Sequence, residues 1–220
     1  MQPLMGALDT LARAYLYAAG HWDELGRAFQ QHLWLVAVSL GVAVLTCVPL
    51  GILTSRSRLA ATTVMGAINS VRVVPSLAIL FLVIPYLGLN TTSAAVALTV
   101  LALPPVLINT DAAYRTIDAS IREAAFGMGM TRRQVLLRVE TPLAAPVVIA
   151  GIRTATVEVI GSAVLAAFVG SGGLGIYITR GFALYEPAIL LVGAVPVALL
   201  TLFAEAGLGS LQRALQPPGF

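Results

Sequence analysis

Side chains able to do chemistry are scarce in this sequence, and their spacing excludes most of the reactions they serve elsewhere. Two histidines, His21 and His32, stand without further ligands at a metal-binding spacing, so no metal site is expected. Lysine is absent, and a GxxxxGK[ST] phosphate loop needs one, so a nucleotide site of that kind is excluded. The run Gly170-Ser171-Gly172-Gly173-Leu174-Gly175 imitates a dinucleotide fingerprint, but no strand precedes it. Cys47, the single cysteine, lies in an apolar run and reads as a small core group. Tyr15, Tyr17, Trp22 and Trp34 could cage a quaternary ammonium ion; anchoring at lipid headgroups is the reading their position favours. The apolar stretches contain no serine–histidine pair, paired aspartates or HExxH arrangement, so neither catalysis nor a cofactor is expected of this chain.

The elements that must position any remaining polar group are membrane helices. Of 220 residues, 58% are hydrophobic and 10% charged, with a mean hydropathy of +0.91. A soluble domain carries about a quarter charged residues, so a soluble enzyme, a nucleic-acid binder and a disordered chain all fit poorly. The pI near 9.4 does not change this, because the arginines are scattered rather than striped. A span needs about 20 mostly apolar residues. Five such stretches are expected: Leu33–Thr54, about Leu59–Leu87, about Thr92–Asn109, about Leu143–Val169 and about Pro187–Ala204 running on toward Arg213. The fold expected is therefore all-α and polytopic.

Arginine asymmetry orients the spans. Placing the Arg56/Arg58 turn inside also places Arg115, Arg122, Arg132, Arg133, Arg138 and Arg213 inside, leaving Arg13, Arg27 and Arg180 outside. The N-terminus is then out and the C-terminus in. Residues 1–32 mix acids and bases among apolar residues, lack a basic stretch with a cleavage site, and read as an interfacial segment on the outer face. Residues 33–213 form the transmembrane domain, with an inner loop at 111–142.

That loop is the most informative segment. Ser120-Ile121-Arg122-Glu123 and Thr131-Arg132-Arg133-Gln134 both have capping-box form, with Gly127-Met128-Gly129 between them. Two short helices joined by a glycine turn are predicted. Ile117, Ile121, Ala124, Ala125 and Met128 give the first an apolar face. A partner's groove, the bilayer surface or the protein's own bundle could cover it.

The residues Glu123-Ala124-Ala125, then Gly129, then Pro142 reproduce the EAAxxxG(x9)IxLP signature. The chain thereby resembles the membrane-spanning subunits of bacterial ABC importers. The run from Glu123 to Gly175, with VPSLAILFLVIPYLG and SLGVAVLTCVPLGIL upstream, is similar to the osmoprotectant branch that moves glycine betaine, carnitine or choline. The resemblance covers about Leu33 to the C-terminus. Two positions depart from the signature: Val139 replaces Ile, and Thr141 replaces Leu, removing an apolar anchor beside Pro142. The resemblance implies a methionine-permease-like, type I importer fold in the cytoplasmic membrane. It also implies that Glu123, Ala124, Ala125, Gly129, Thr131 and Arg132 dock on a separate ATP-binding subunit, which carries ATP and magnesium. Two such ATPases, a second permease subunit (identical or paralogous) and an extracytoplasmic solute-binding protein are the implied partners. The Gly170–Gly175 run becomes a flexible outer link able to touch the binding protein. Small residues such as Ala163, Ala167, Ala194 and Ala198 suit helix–helix packing.

Arg72, Arg153 and Glu158 fall inside expected spans, where an ionisable group costs about 2.5–3.5 kcal/mol and faces the bundle interior. Asn69, Arg72, Asn109 and Glu158 are candidates for a translocation pathway; static ion pairing is the competing account, preferred for Arg153. Glu158 sits five residues from Arg153, beyond good helical pairing, and is expected to meet Arg72 or another subunit. An importer of another small solute, such as an amino acid, and an ATP-independent secondary transporter are the alternatives. An inverted repeat would favour the latter, and five spans with one dominant loop do not display one. Glu158→Gln is expected to change solute uptake with assembly intact; uptake equal to that of the parent protein removes Glu158 from the pathway.

Overall fold

The computed structural model describes residues 2–216, all of whose regular structure is helical. The helices are α1 (Gln2–Gly20), α2 (Trp22–Thr54), α3 (Arg58–Val73), α4 (Ser76–Leu87), α5 (Thr91–Arg115), α6 (Ala119–Gly127), α7 (Arg132–Val135), α8 (Thr141–Ser162), α9 (Gly175–Ala183) and α10 (Pro187–Ala214). A π-helical segment, Leu136–Glu140, joins α7 to α8, and a 3₁₀ segment, Ala163–Val169, follows α8.

Four stretches are long and apolar enough to cross a bilayer: α2, α5, the run Arg132–Val169 and α10. The fifth expected span, Leu59–Leu87, is a broken pair, α3 and α4, bent by 101°. The cause is local. Val74 precedes Pro75, whose ring disfavours the helical region for its neighbour, and Val74 sits at φ −78°, ψ 124°. The other prolines within helices (Pro49, Pro85, Pro104, Pro105, Pro146 and Pro196) do not end them. Helix α2 begins at Trp22, ahead of the expected Leu33, because nothing breaks the run and Asp23 and Glu24 complement its N-terminal dipole.

The chain divides into two compact units, and the long helices contribute to both. The first comprises residues up to Ser39, Pro75–Thr99 and Glu158–Phe203. Here His32 is fully buried and donates Nε2–H to the Ile160 carbonyl (3.2 Å), while the Ser39 hydroxyl donates to Ala95 (3.2 Å). Helix α1 is tied in by Tyr17, which stacks on His21 (centroids 4.3 Å apart) and accepts from Arg180 (3.2 Å). Trp22 and Trp34 are exposed, so Tyr17 is engaged by a histidine and an arginine rather than by an aromatic cage. Gly172 and Gly173 adopt φ of +78° and +79°, and Gly173 N–H donates to Gln31 Oε1 (3.2 Å).

The second unit comprises Leu40–Val74, Val100–Val157 and the chain from Ala204 onward. Ala113, Tyr114, Ile117 and Ala144 form a core against which Ile52, Leu136, Leu143 and Val148 pack. Cys47 is buried, with Sγ–H directed at the Leu103 carbonyl (3.6 Å). Helices α5 and α8 meet closely at Gly151, where an added Cβ would lie 2.6 Å from Asn109 Cβ and 2.7 Å from the Pro105 carbonyl oxygen. Gly161, in the same helix, has open space around it. In a helix interior Gly→Ala ordinarily stabilises by about 0.5–1 kcal/mol, whereas overpacking costs about 1–3 kcal/mol. Gly151→Ala should therefore lower the Tm of the detergent-solubilised protein while Gly161→Ala should not; a Tm for Gly151→Ala at or above the parent value contradicts this packing.

Candidate functional site

The expected helix–turn–helix is formed by α6 and α7, with a different cap at its start. Ser120 lies inside α6, and the Asp118 carboxylate accepts from Ser120 N–H (2.8 Å), so the first expected capping box is not used. Asp118 is favoured because Ile117, immediately before it, is buried in the core and fixes where the chain leaves α5. The hydrogen bond from Ser120 holds the Asp118 carboxyl below the usual carboxylate range. Helix α6 ends in a Schellman arrangement: Gly129 N–H donates to Phe126 O (2.9 Å) and Met130 N–H to Ala125 O (3.2 Å). Gly129 sits at φ +79°, the conformation for which glycine carries no Cβ penalty. The second capping box is complete, with Thr131 Oγ1 accepting from Gln134 N–H (3.4 Å) and Thr131 N–H donating to Gln134 Oε1 (2.8 Å).

This motif presents an apolar edge. Ala125 is buried, while Ile121, Phe126 and Met128 are 39%, 47% and 75% exposed, and Glu123, Ala124, Thr131 and Arg132 are exposed beside them. The expected face thus splits: Ile117 and Ala125 point into the protein, and Ile121, Ala124 and Met128 remain outside. Phe126 belongs to the exposed set although sequence periodicity did not select it.

Behind α6 lies a polar cluster that sequence reasoning missed. Glu140, in the π segment, is 1% exposed. Arg56, from the turn after α2, donates to both its oxygens, to Oε1 at 2.9 Å and to Oε2. Arg122 of α6 donates Nε–H to Oε1 (2.6 Å) and its other arm to the Tyr114 carbonyl (2.5 Å). The hydrogen bonds from Arg56 to Glu140 hold the Arg56 guanidinium charged above its ordinary range. Arg115 pairs with Asp111 (2.7 Å) and caps the C-terminal carbonyl of α2 at Thr54 (2.9 Å). Thr141, which removes an apolar anchor beside Pro142, is used: its hydroxyl donates to Leu136 O (2.8 Å) and meets Tyr114 Oη (3.1 Å). A polar anchor thus replaces the apolar one.

The pathway candidates are not all alike. Asn69 and Arg72 lie three residues apart on α3, are both exposed, and belong to a helix with no buried residue. Asn109 donates to Pro105 O (2.8 Å) and packs at Gly151. Glu158 is exposed on α8 and belongs to the first unit, whereas the other three lie in the second. Arg153 is ion-paired with Glu205 of α10 and donates to Gln212 (3.3 Å), the static arrangement preferred for it.

An all-helical protein with several helices long and apolar enough to cross a membrane, and one capped helix–turn–helix between them, has the makeup of a multi-pass membrane protein. Residues 47–217 match the family described as the binding-protein-dependent transport system inner membrane component, and the chain belongs to that family. It is similar to the carnitine transport permease protein of Listeria monocytogenes (46% identity over 85% of this chain and 86% of that one). It is also similar to the choline transport system permease protein of Bacillus subtilis (44% identity, 84% of each). Its fold matches a chain of the MetNI methionine ABC transporter at a TM-score of 0.80 and 24% identity, covering 90% of this chain and 99% of that one. The protein is thus a multi-pass ABC-importer permease of the cytoplasmic membrane and not an enzyme; ATP hydrolysis belongs to a separate subunit. The family implies ATPase, binding-protein and second-permease partners.

Thr131→Ala removes the cap of α7 and should cost about 1 kcal/mol. The expected readout is amide hydrogen exchange at Gln134 and Val135 that is several-fold faster; unchanged protection there denies the cap its role.

Proposed function

We propose that this chain forms the translocation half of an ATP-driven importer for small quaternary-ammonium osmoprotectants of the glycine betaine, carnitine and choline class. The α6–α7 motif is its contact with the ATP-binding subunit. The observation that carries this reading is the exposed edge of Ile121, Phe126 and Met128 around Glu123, on a helix capped firmly at both ends. Such an edge suits a groove in a protein partner, and Glu123 can pair with a basic group on its rim. Ala124 permits close approach, and Thr131 and Arg132 extend the contact along α7; Ala125, expected in the same contact, is buried against the protein and holds the helix instead. The likeness to carnitine and choline permeases supports the solute class.

The arginine distribution supports an orientation with the N-terminus outside and the α6–α7 motif inside. Two permease chains pair, each engaging one ATPase that carries ATP and magnesium, and an extracytoplasmic binding protein delivers solute. The exposed polar face of α3, with Asn69 and Arg72, is ill-suited to lipid and turns toward the path or the second permease. Alternating access follows as closure of the ATPase pair displaces the docked motifs.

Phe126→Asp should reduce co-purification with the ATP-binding subunit by about tenfold or more, as for an aromatic anchor, without lowering the Tm of the permease itself. Undiminished capture overturns the docking face. Calorimetric titration of the cognate binding protein with glycine betaine, carnitine and choline tests the solute; binding of none removes that class and leaves the importer standing.

A further inference from the structure

We infer that Glu140 is a positioning residue for energy coupling: through Arg56 and Arg122 it locks α6, the α2–α3 turn and the root of α8 into one moving body. The inference rests on α6–α7 being the ATPase contact. Three observations lead to it. First, α6 has nine residues and a single buried one, Ala125, so apolar packing alone fixes it weakly. Second, what does fix it is Arg122, whose two arms reach Glu140 (2.6 Å) and the Tyr114 carbonyl near the end of α5 (2.5 Å). Third, the same carboxylate takes both arms of Arg56, 84 positions away in sequence, from the turn between α2 and α3. Glu140 itself stands in the π segment that leads directly into α8.

A push on α6 therefore reaches α8 and the α2–α3 turn through short charge-assisted bonds. Phe126, Met128 and Ile121 would hold the partner, and Glu140 would decide whether the displacement goes anywhere. Helix α3, which follows the Arg56 turn, is the helix that carries Asn69 and Arg72.

The test uses the complete importer, permease with ATP-binding subunits, in proteoliposomes supplied with binding protein and radiolabelled glycine betaine. Solute moved per ATP hydrolysed is compared for the parent and Glu140→Gln. The expected result is a ratio lowered by at least about threefold, with the complex still assembled. If uptake and hydrolysis fall together so that the ratio holds, or if neither changes, Glu140 is merely structural and the inference is overturned. Should Glu140→Gln not assemble, Arg56→Gln gives the same readout with the Glu140–Arg122 pair intact, and an unchanged ratio there is equally fatal.

A second measurement does not depend on the solute. Spin labels at Ser120→Cys in α6 and Leu59→Cys in α3, both exposed positions, report one distance across the cluster. In the parent background it should stay narrow and constant between nucleotide-free and ATP-bound complexes. With Glu140→Gln it should broaden or shift; a distribution identical to the parent's overturns the inference. A parent chain that never assembles with an ATP-binding subunit would instead defeat the docking reading on which this one stands.

Discussion

A buried carboxylate must be paired, and in this protein one pairing organises the part of the second unit where α2 and α5 stop. Glu140 has almost no access to solvent, and two guanidiniums from separate segments satisfy it. Removing one partner from a buried ion pair typically costs about 3–5 kcal/mol, because the remaining charge stays desolvated. The arrangement also handles a second problem. The final carbonyls of a helix have no partner within it; at Tyr114 Arg122 donates, and at Thr54 Arg115 donates together with Ser57 N–H (3.1 Å). Arg115 and Arg122 each therefore answer a carboxylate and a helix end at once.

Elsewhere the same scarcity of water shapes the spans. Arg153 and Glu205 neutralise each other across two helices. Hydroxyls such as Thr110 and Thr156 return their protons to carbonyls one turn back. Close approach of α5 and α8 is bought with Gly151. Helix α3 differs in burial: its hydroxyls also donate one turn back, but none of its residues is buried. That contrast separates the helices with a buried face among the described residues from the one that has none.

Much of this architecture was legible in the sequence, because apolar run length and glycine and capping chemistry are local. The spans, the turn at Gly129 and the Thr131 capping box follow from neighbours a few residues apart. The break at Val74–Pro75 was equally local but lay hidden in a long apolar run that satisfied the length criterion for one span. The cap at Asp118, two positions ahead of the expected Ser120, was not read from the sequence, because it depends on the burial of Ile117 before it. Glu140 was not legible: its partners are 84 and 18 positions away, and Arg56 and Arg122 registered only as charges that orient a membrane protein. An acid at the edge of a span, just ahead of Pro142, was the one available signal. The use of Thr141 was not legible for the same reason, since it depends on Tyr114, 27 positions distant.

The π segment holds an implication about inheritance rather than mechanics. A residue added to or taken from a helix turns everything beyond it by about 100°. Leu136–Glu140 accommodates one residue more than a regular turn would, and with that count Glu140 faces its two arginines. Deleting any residue between Val135 and Glu140 would leave every side chain of the cluster present in the genome and swing the carboxylate away from its partners. What this stretch has to conserve is thus a number as well as a spelling.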